Sequence, residues 1–187
     1  MGTRARRRTR EQLSTLGVVI VTSVALLLGW GVRTTLENRT RLITRDNVSA
    51  AVPDRWLVQD GTGDLILTTW DPLSPEVRYN ISLVSATGST LAEIAAVRGR
   101  SRVQLLNSFS VTEETPVERG GQEGYKVTFI YVSSDTGGPT IVKGVEYYFT
   151  QQEHVLVISL ESGADGFDAA LAPFQRFLDS VSVTEGG

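Results

Sequence analysis

From Leu13 to Val32 the chain runs without a single charged side chain, and this run constrains everything that follows it. Read as a helix rising about 1.5 Å per residue, it reaches about 30 Å, the thickness of a bilayer's hydrocarbon core. The expectation is one membrane-spanning helix. Arg4, Arg6, Arg7, Arg8 and Arg10 precede the run, and basic residues beside a span tend to stay cytoplasmic, so the tail is expected inside and the C-terminal portion outside. Arg33, Arg39, Arg41 and Arg45 follow at lower density and oppose that assignment only weakly. Trp30 fits the aromatic belt at the membrane interface, and Arg33 can snorkel to the same level. The competing reading is a cleaved secretory signal, whose apolar region is about 7 to 15 residues and ends at a small-x-small site. The run here is longer and places bulky Trp30 near its end, which favours retention.

Charge separates along the chain. Of 18 basic and 21 acidic side chains, the first twelve residues hold five arginines and Glu11, so the remainder is acidic by seven. An acidic domain makes a poor general nucleic-acid binder, because neutralising phosphates supplies most non-specific affinity. With no cysteine, disulfides, thiolate metal sites and cysteine nucleophiles are excluded, and a single histidine, His154, leaves little for imidazole chemistry. No cofactor is expected.

Residues 33–46 are polar and read as a juxtamembrane linker, with a folded domain over 47–183 and a short tail over 184–187. Val77, Tyr79, Ile81 and Leu83 alternate as in a strand, and so do Tyr125, Val127, Phe129 and Tyr131. Ser89 or Thr90 can cap a helix carrying Leu91, Ile94 and Ala95 on one side, with Gly99 as its expected end. Strands separated by Arg119-Gly120-Gly121 and by Gln151-Gln152-Glu153 imply an antiparallel sheet. Phe167, Leu171, Phe174, Phe177 and Leu178 fall at helical spacings suited to covering that sheet, and Pro173 is expected to break or bend the helix. The fold class expected is α+β, led by the membrane helix.

Several pieces then resemble the PsbP-like family. They are Val52-Pro53-Asp54-Arg55-Trp56, the helix opening Ser89-Thr90-Leu91-Ala92-Glu93, the glycine-led strand Gly124-Tyr125-Lys126-Val127, and the closing hairpin and helix from Tyr147 to Ser180. The match covers about residues 45 to 183, and the order of the pieces is more specific than any one of them. The resemblance implies a three-layer α/β/α domain with a central antiparallel sheet that binds or steadies a partner and is not an enzyme. It transfers no binding residue.

Candidate chemistry is sparse. His154 lies at a hairpin turn with no Gly-x-Ser-x-Gly elbow in the chain, which leaves a hydrolase as a remote alternative. Asp60 to Asp64 reads as a turn, since a calcium loop would need glycine and glutamate where Leu65 and Asp71 stand. Arg98, Arg100 and Arg102 are the most distinctive group, read either as charge at a helix end or as a contact for an acidic partner or lipid headgroups. The chain is therefore expected to be a single-pass cell-membrane protein. Its outer domain would serve a larger complex as an accessory or assembly subunit, with the bilayer and integral membrane subunits as partners. The alternative is a lipid- or small-solute-binding module with a pocket between sheet and helix.

Overall fold

Strands dominate this chain because its longest patterned stretches repeat with a period of two. In the computed structural model, which describes residues 21–26, 39–86, 88–134 and 138–184, ten strands form two sheets. β1 (Thr40–Arg45), β2 (Val48–Pro53) and β10 (Ser182–Val183) make a small sheet in the order β1-β2-β10. The large sheet holds β3 (Leu57–Asp60), β4 (Leu65–Asp71), β5 (Ser74–Ser85), β6 (Asn107–Arg119), β7 (Gln122–Ser133), β8 (Thr140–Gln151) and β9 (His154–Gly163). Its order is β3-β4-β5-β9-β8-β7-β6, antiparallel throughout. After β5 the chain crosses to the far edge through helix α1 (Leu91–Leu105), then returns strand by strand until β9 pairs with β5. Helix α2 (Phe167–Ser180) follows a short 3-10 turn at Ala164–Gly166.

The two faces of the sheet differ. On one, Leu67, Tyr79, Ile81, Val145, Phe149, Ile158 and Leu160 meet Phe167, Phe174, Phe177 and Leu178 of α2 and Val48, Ala50 and Val52 of β2 in the main core. Burying each of the valine, leucine, isoleucine and phenylalanine side chains stabilises by about 1.5–3 kcal/mol. On the other face α1 buries only Ile94 and Ala95, against Val127, Tyr148, Val155 and Val157. Ser180 closes the main core by accepting the Ala51 N–H at 2.9 Å and donating to the Phe177 carbonyl at 2.6 Å.

Three expectations are corrected. Over residues 39–184 the described chain is mostly sheet, not the α+β, three-layer α/β/α arrangement expected, because five strands of ten or more residues outweigh the two helices there and α1 covers its face only in part. Among the described residues no helix is long and apolar enough to cross a membrane. Of the run Leu13–Val32 only residues 21–26 are described, as a helical stretch, and the rest lies outside the described residues. The expected single-pass span, and the cell-membrane localisation built on it, are therefore not borne out among the described residues. Smaller differences follow from packing. Thr40–Arg45, expected in a linker, is a strand, Gly99 lies inside α1, and Pro173 lies inside an unbroken α2.

The long outer edge, β6, is blunted. Gly120 and Gly121, with φ of +57° and +79°, make a two-residue turn that pairs Arg119 with Gln122. Alternation from that pair points the backbone of Glu118, Pro116 and Glu114 away from the sheet, and Pro116 has no N–H to offer there. The opposite edge, β3, is four residues long, and Arg45 meets its Asp60 at 2.7 Å.

Candidate functional site

Two places in the domain concentrate polar groups, one on each face of the large sheet. The first lies under α1. Thr90 caps the helix by accepting the Glu93 N–H, while the Glu93 carboxylate accepts from the Thr90 N–H, so the first turn is fixed at both ends. From that start, Arg98 and Arg102 fall one turn apart on the sheet-facing side and reach Glu146 of β8, whose side chain is 2% exposed. Arg102 donates to Glu146 at 2.7 Å and Arg98 at 3.3 Å, and the Tyr148 hydroxyl donates to the second carboxylate oxygen. Glu161 stands 3.9 Å from Arg102 and accepts from the Tyr131 hydroxyl at 3.1 Å. The Arg102 guanidinium also lies 4.3 Å from the Phe129 ring centroid. That ring sits where a Cβ on Gly144 would be, which is why position 144 has no side chain.

The electrostatics follow from this geometry. Burial alone would push the Glu146 carboxyl up, but Arg102, Arg98 and the Tyr148 hydroxyl outweigh it and hold the group below the ordinary carboxylate value of 4.5. Burial, together with Glu146, raises the Tyr148 phenol far above its usual range, and burial with Glu161 does the same to Tyr131. Desolvation would lower Arg98, but Glu146 more than restores it, leaving its pKa raised. Two arginines and two glutamates balance, and the cluster pins α1 to the sheet.

The second place is a groove of about 960 Å³ on the α2 face. Asp71, Ser74, Glu76 and Val77 from the β4–β5 turn form one wall, and Pro139 to Ile141 form another. Asp165 and Gly166, with Ala169 and Pro173 of α2, form the third. Trp56 and Tyr79 line it too, their ring centroids 4.5 Å apart, and Tyr79 leans in turn on Phe174 and Phe177 at 5.2 and 4.8 Å. The aromatic stack makes that lining part of the rigid core.

The structure divides the three arginines that the sequence groups together. Arg98 and Arg102 turn inward to Glu146, whereas Arg100 is exposed. His154 is exposed at the start of β9, opposite Ser85 and Gln151, and lines neither place. Asp60 to Asp64 forms the β3–β4 connection, closed by the Gly61 N–H on the Ile66 carbonyl at 2.9 Å. Trp30, Arg33 and the tail residues Arg4, Arg6, Arg7, Arg8 and Arg10 lie outside the described residues. Sequence reasoning missed Glu146, although a lone carboxylate inside Val145-Glu146-Tyr147-Tyr148-Phe149 signals a buried charge in need of a partner. It offered a pocket between sheet and helix only as an alternative and did not place the walls of the groove, which come from separate stretches.

The large antiparallel sheet carries its β5–β6 crossover helix on one face and its closing helix on the other, an arrangement similar to that of a solved PsbP structure. No protein family model matches the chain, and no curated protein matches it. Among solved structures it is similar to the cyanobacterial PsbP, CyanoP, of Synechocystis sp. PCC 6803, with a TM-score of 0.60 and 12% identity over 78% of this chain and 92% of that one. It is also similar to the Saccharomyces cerevisiae Ran-binding protein Mog1p, with a TM-score of 0.55 and 10% identity over 78% and 95% of the two chains. LpqN of Mycobacterium tuberculosis, at a TM-score of 0.48 and 13% identity over 78% and 91%, adds no weight. Likeness at these identities shows the fold alone.

Proposed function

We propose that the chain is a non-catalytic binding domain that serves a larger protein complex as an accessory or assembly subunit. The observation that carries this reading is the open groove on the α2 face, large enough for several side chains and lined by part of the aromatic core. The lowered carboxyl and raised phenols of the α1 face support it, because these groups are spent on one another inside the fold. The name of one structural neighbour, a Ran-binding protein, is that of a protein that acts by binding.

The test is crosslinking in the native host followed by purification of the tagged full chain, beside an Ala169→Trp variant that fills the groove. A defined partner held by the wild type and lost from the variant supports docking. Equal recovery with both, or turnover of a substrate by the purified chain, refutes it. A second reading, a small-solute module, draws on the groove's volume, which lies within the range of about 300–1,000 Å³ common for small-molecule sites. Native mass spectrometry of the purified chain checks for a retained solute.

A further inference from the structure

The side chains that line the groove carry negative charge. Asp71, Glu76 and Asp165 line it, and among the described lining residues there is no lysine or arginine. Three cations stand nearby but outside the lining, and one of them, Arg78, donates to the Pro75 carbonyl of the β4–β5 turn at 3.0 Å. Lys143 is held over the Phe167 ring at 4.5 Å, and Arg176 of α2 acts on the buried Tyr79 phenol against the influence of Asp71. The N-terminus of α2 also opens here and contributes about half a positive charge. Among the groups that line the groove, three carboxylates face only that half charge, since Arg78, Lys143 and Arg176 stand outside the lining, and Asp71 also accepts the Leu73 N–H at 2.9 Å.

Pro173 adds to the imbalance. Proline has no N–H, so the Ala169 carbonyl one turn earlier loses the donor that residue 173 of a helix ordinarily supplies, and both residues line the groove. Trp56 contributes an aromatic surface, and indole is the side chain that best attracts a cation to its face. The lining therefore carries three carboxylates and no cationic side chain, and it offers apolar contact for an alkyl stem. A guanidinium brings five N–H donors on such a stem.

We infer that the groove docks an arginine-bearing extended segment of a protein partner, received by Asp71, Glu76 and Asp165 and packed along Trp56 and Ile141. This rests on the docking reading above and names the chemistry of its occupant. The test titrates the full chain into a short fluorescent peptide that alternates arginine with leucine, and follows anisotropy. Binding is expected to weaken as salt rises, to fall about tenfold to a hundredfold in an Asp71→Asn, Glu76→Gln, Asp165→Asn triple variant, and to be lost in Ala169→Trp. Unchanged melting temperatures show that the variants fold. A counterpart peptide with glutamate for arginine should not bind. Equal binding of that counterpart, or full affinity in the triple variant, overturns the inference. Loss confined to Ala169→Trp would do so while leaving the docking reading intact, and retention in every variant would remove both.

Discussion

Glutamine at position 146 is the most direct probe of how α1 is held. Glu146 is almost wholly buried and receives Arg98, Arg102 and Tyr148, so Glu146→Gln keeps the shape and removes the charge that balances two guanidinium groups. Breaking a buried pair by removing one partner costs about 3–5 kcal/mol when the remaining charge is fully enclosed. Here the arginine side chains are 25% and 18% exposed and recover part of their hydration, and the amide oxygen still accepts one bond. The expected loss is about 2–3 kcal/mol, which for a domain of this size lowers the melting temperature by about 5–10 °C. Urea unfolding followed by tryptophan fluorescence reads it as a lower midpoint at unchanged slope. The sign with pH is also set. A carboxyl held below 4.5 in the folded chain stabilises above that value and loses its contribution as pH falls through the lowered one, so the wild type should weaken in acid more steeply than the variant. A midpoint within 0.5 M urea of wild type, or the same acid profile in both, would refute the reasoning.

Gly144→Ala places a Cβ 2.2 Å from the Phe129 ring and should cost about 1–3 kcal/mol by overpacking, read as a lower melting temperature. Thr90→Ala removes the cap of α1 and should cost about 1 kcal/mol, with faster hydrogen exchange confined to the first turn of that helix. Ser180→Ala leaves the Ala51 N–H without its acceptor, an expected loss of about 1–2 kcal/mol that exchange at Ala51 would localise.

Much of the large sheet is legible in the sequence because strand periodicity is a local property. Val77, Tyr79 and Ile81 do share a face, and Tyr125 and Val127 share the other, where Phe129 lies under Arg102. Elements whose stability comes from distant residues are not legible. Gly99 looks like a helix end, yet Arg98 and Arg102 on either side grip Glu146 more than forty positions away, and that grip exceeds the penalty of about 1 kcal/mol for an internal glycine. Pro173 looks like a break, but buried Phe174, Phe177 and Leu178 fix the turn after it in the core. β1 carries too many exposed charged and polar residues to stand out, and its place comes from its neighbour β2. The arginine group is visible as composition, whereas the direction each member points depends on a strand that arrives later in the chain. The groove is the least legible feature, since no single segment contains more than one of its walls.

The proline on the outer border of β6 has a consequence for life at high concentration. A second copy approaching along that border would find a missing rung at position 116, with carboxylates on both sides facing its own. Edge-to-edge pairing between copies is thus interrupted on one border by position 116, and the opposite border offers only four residues.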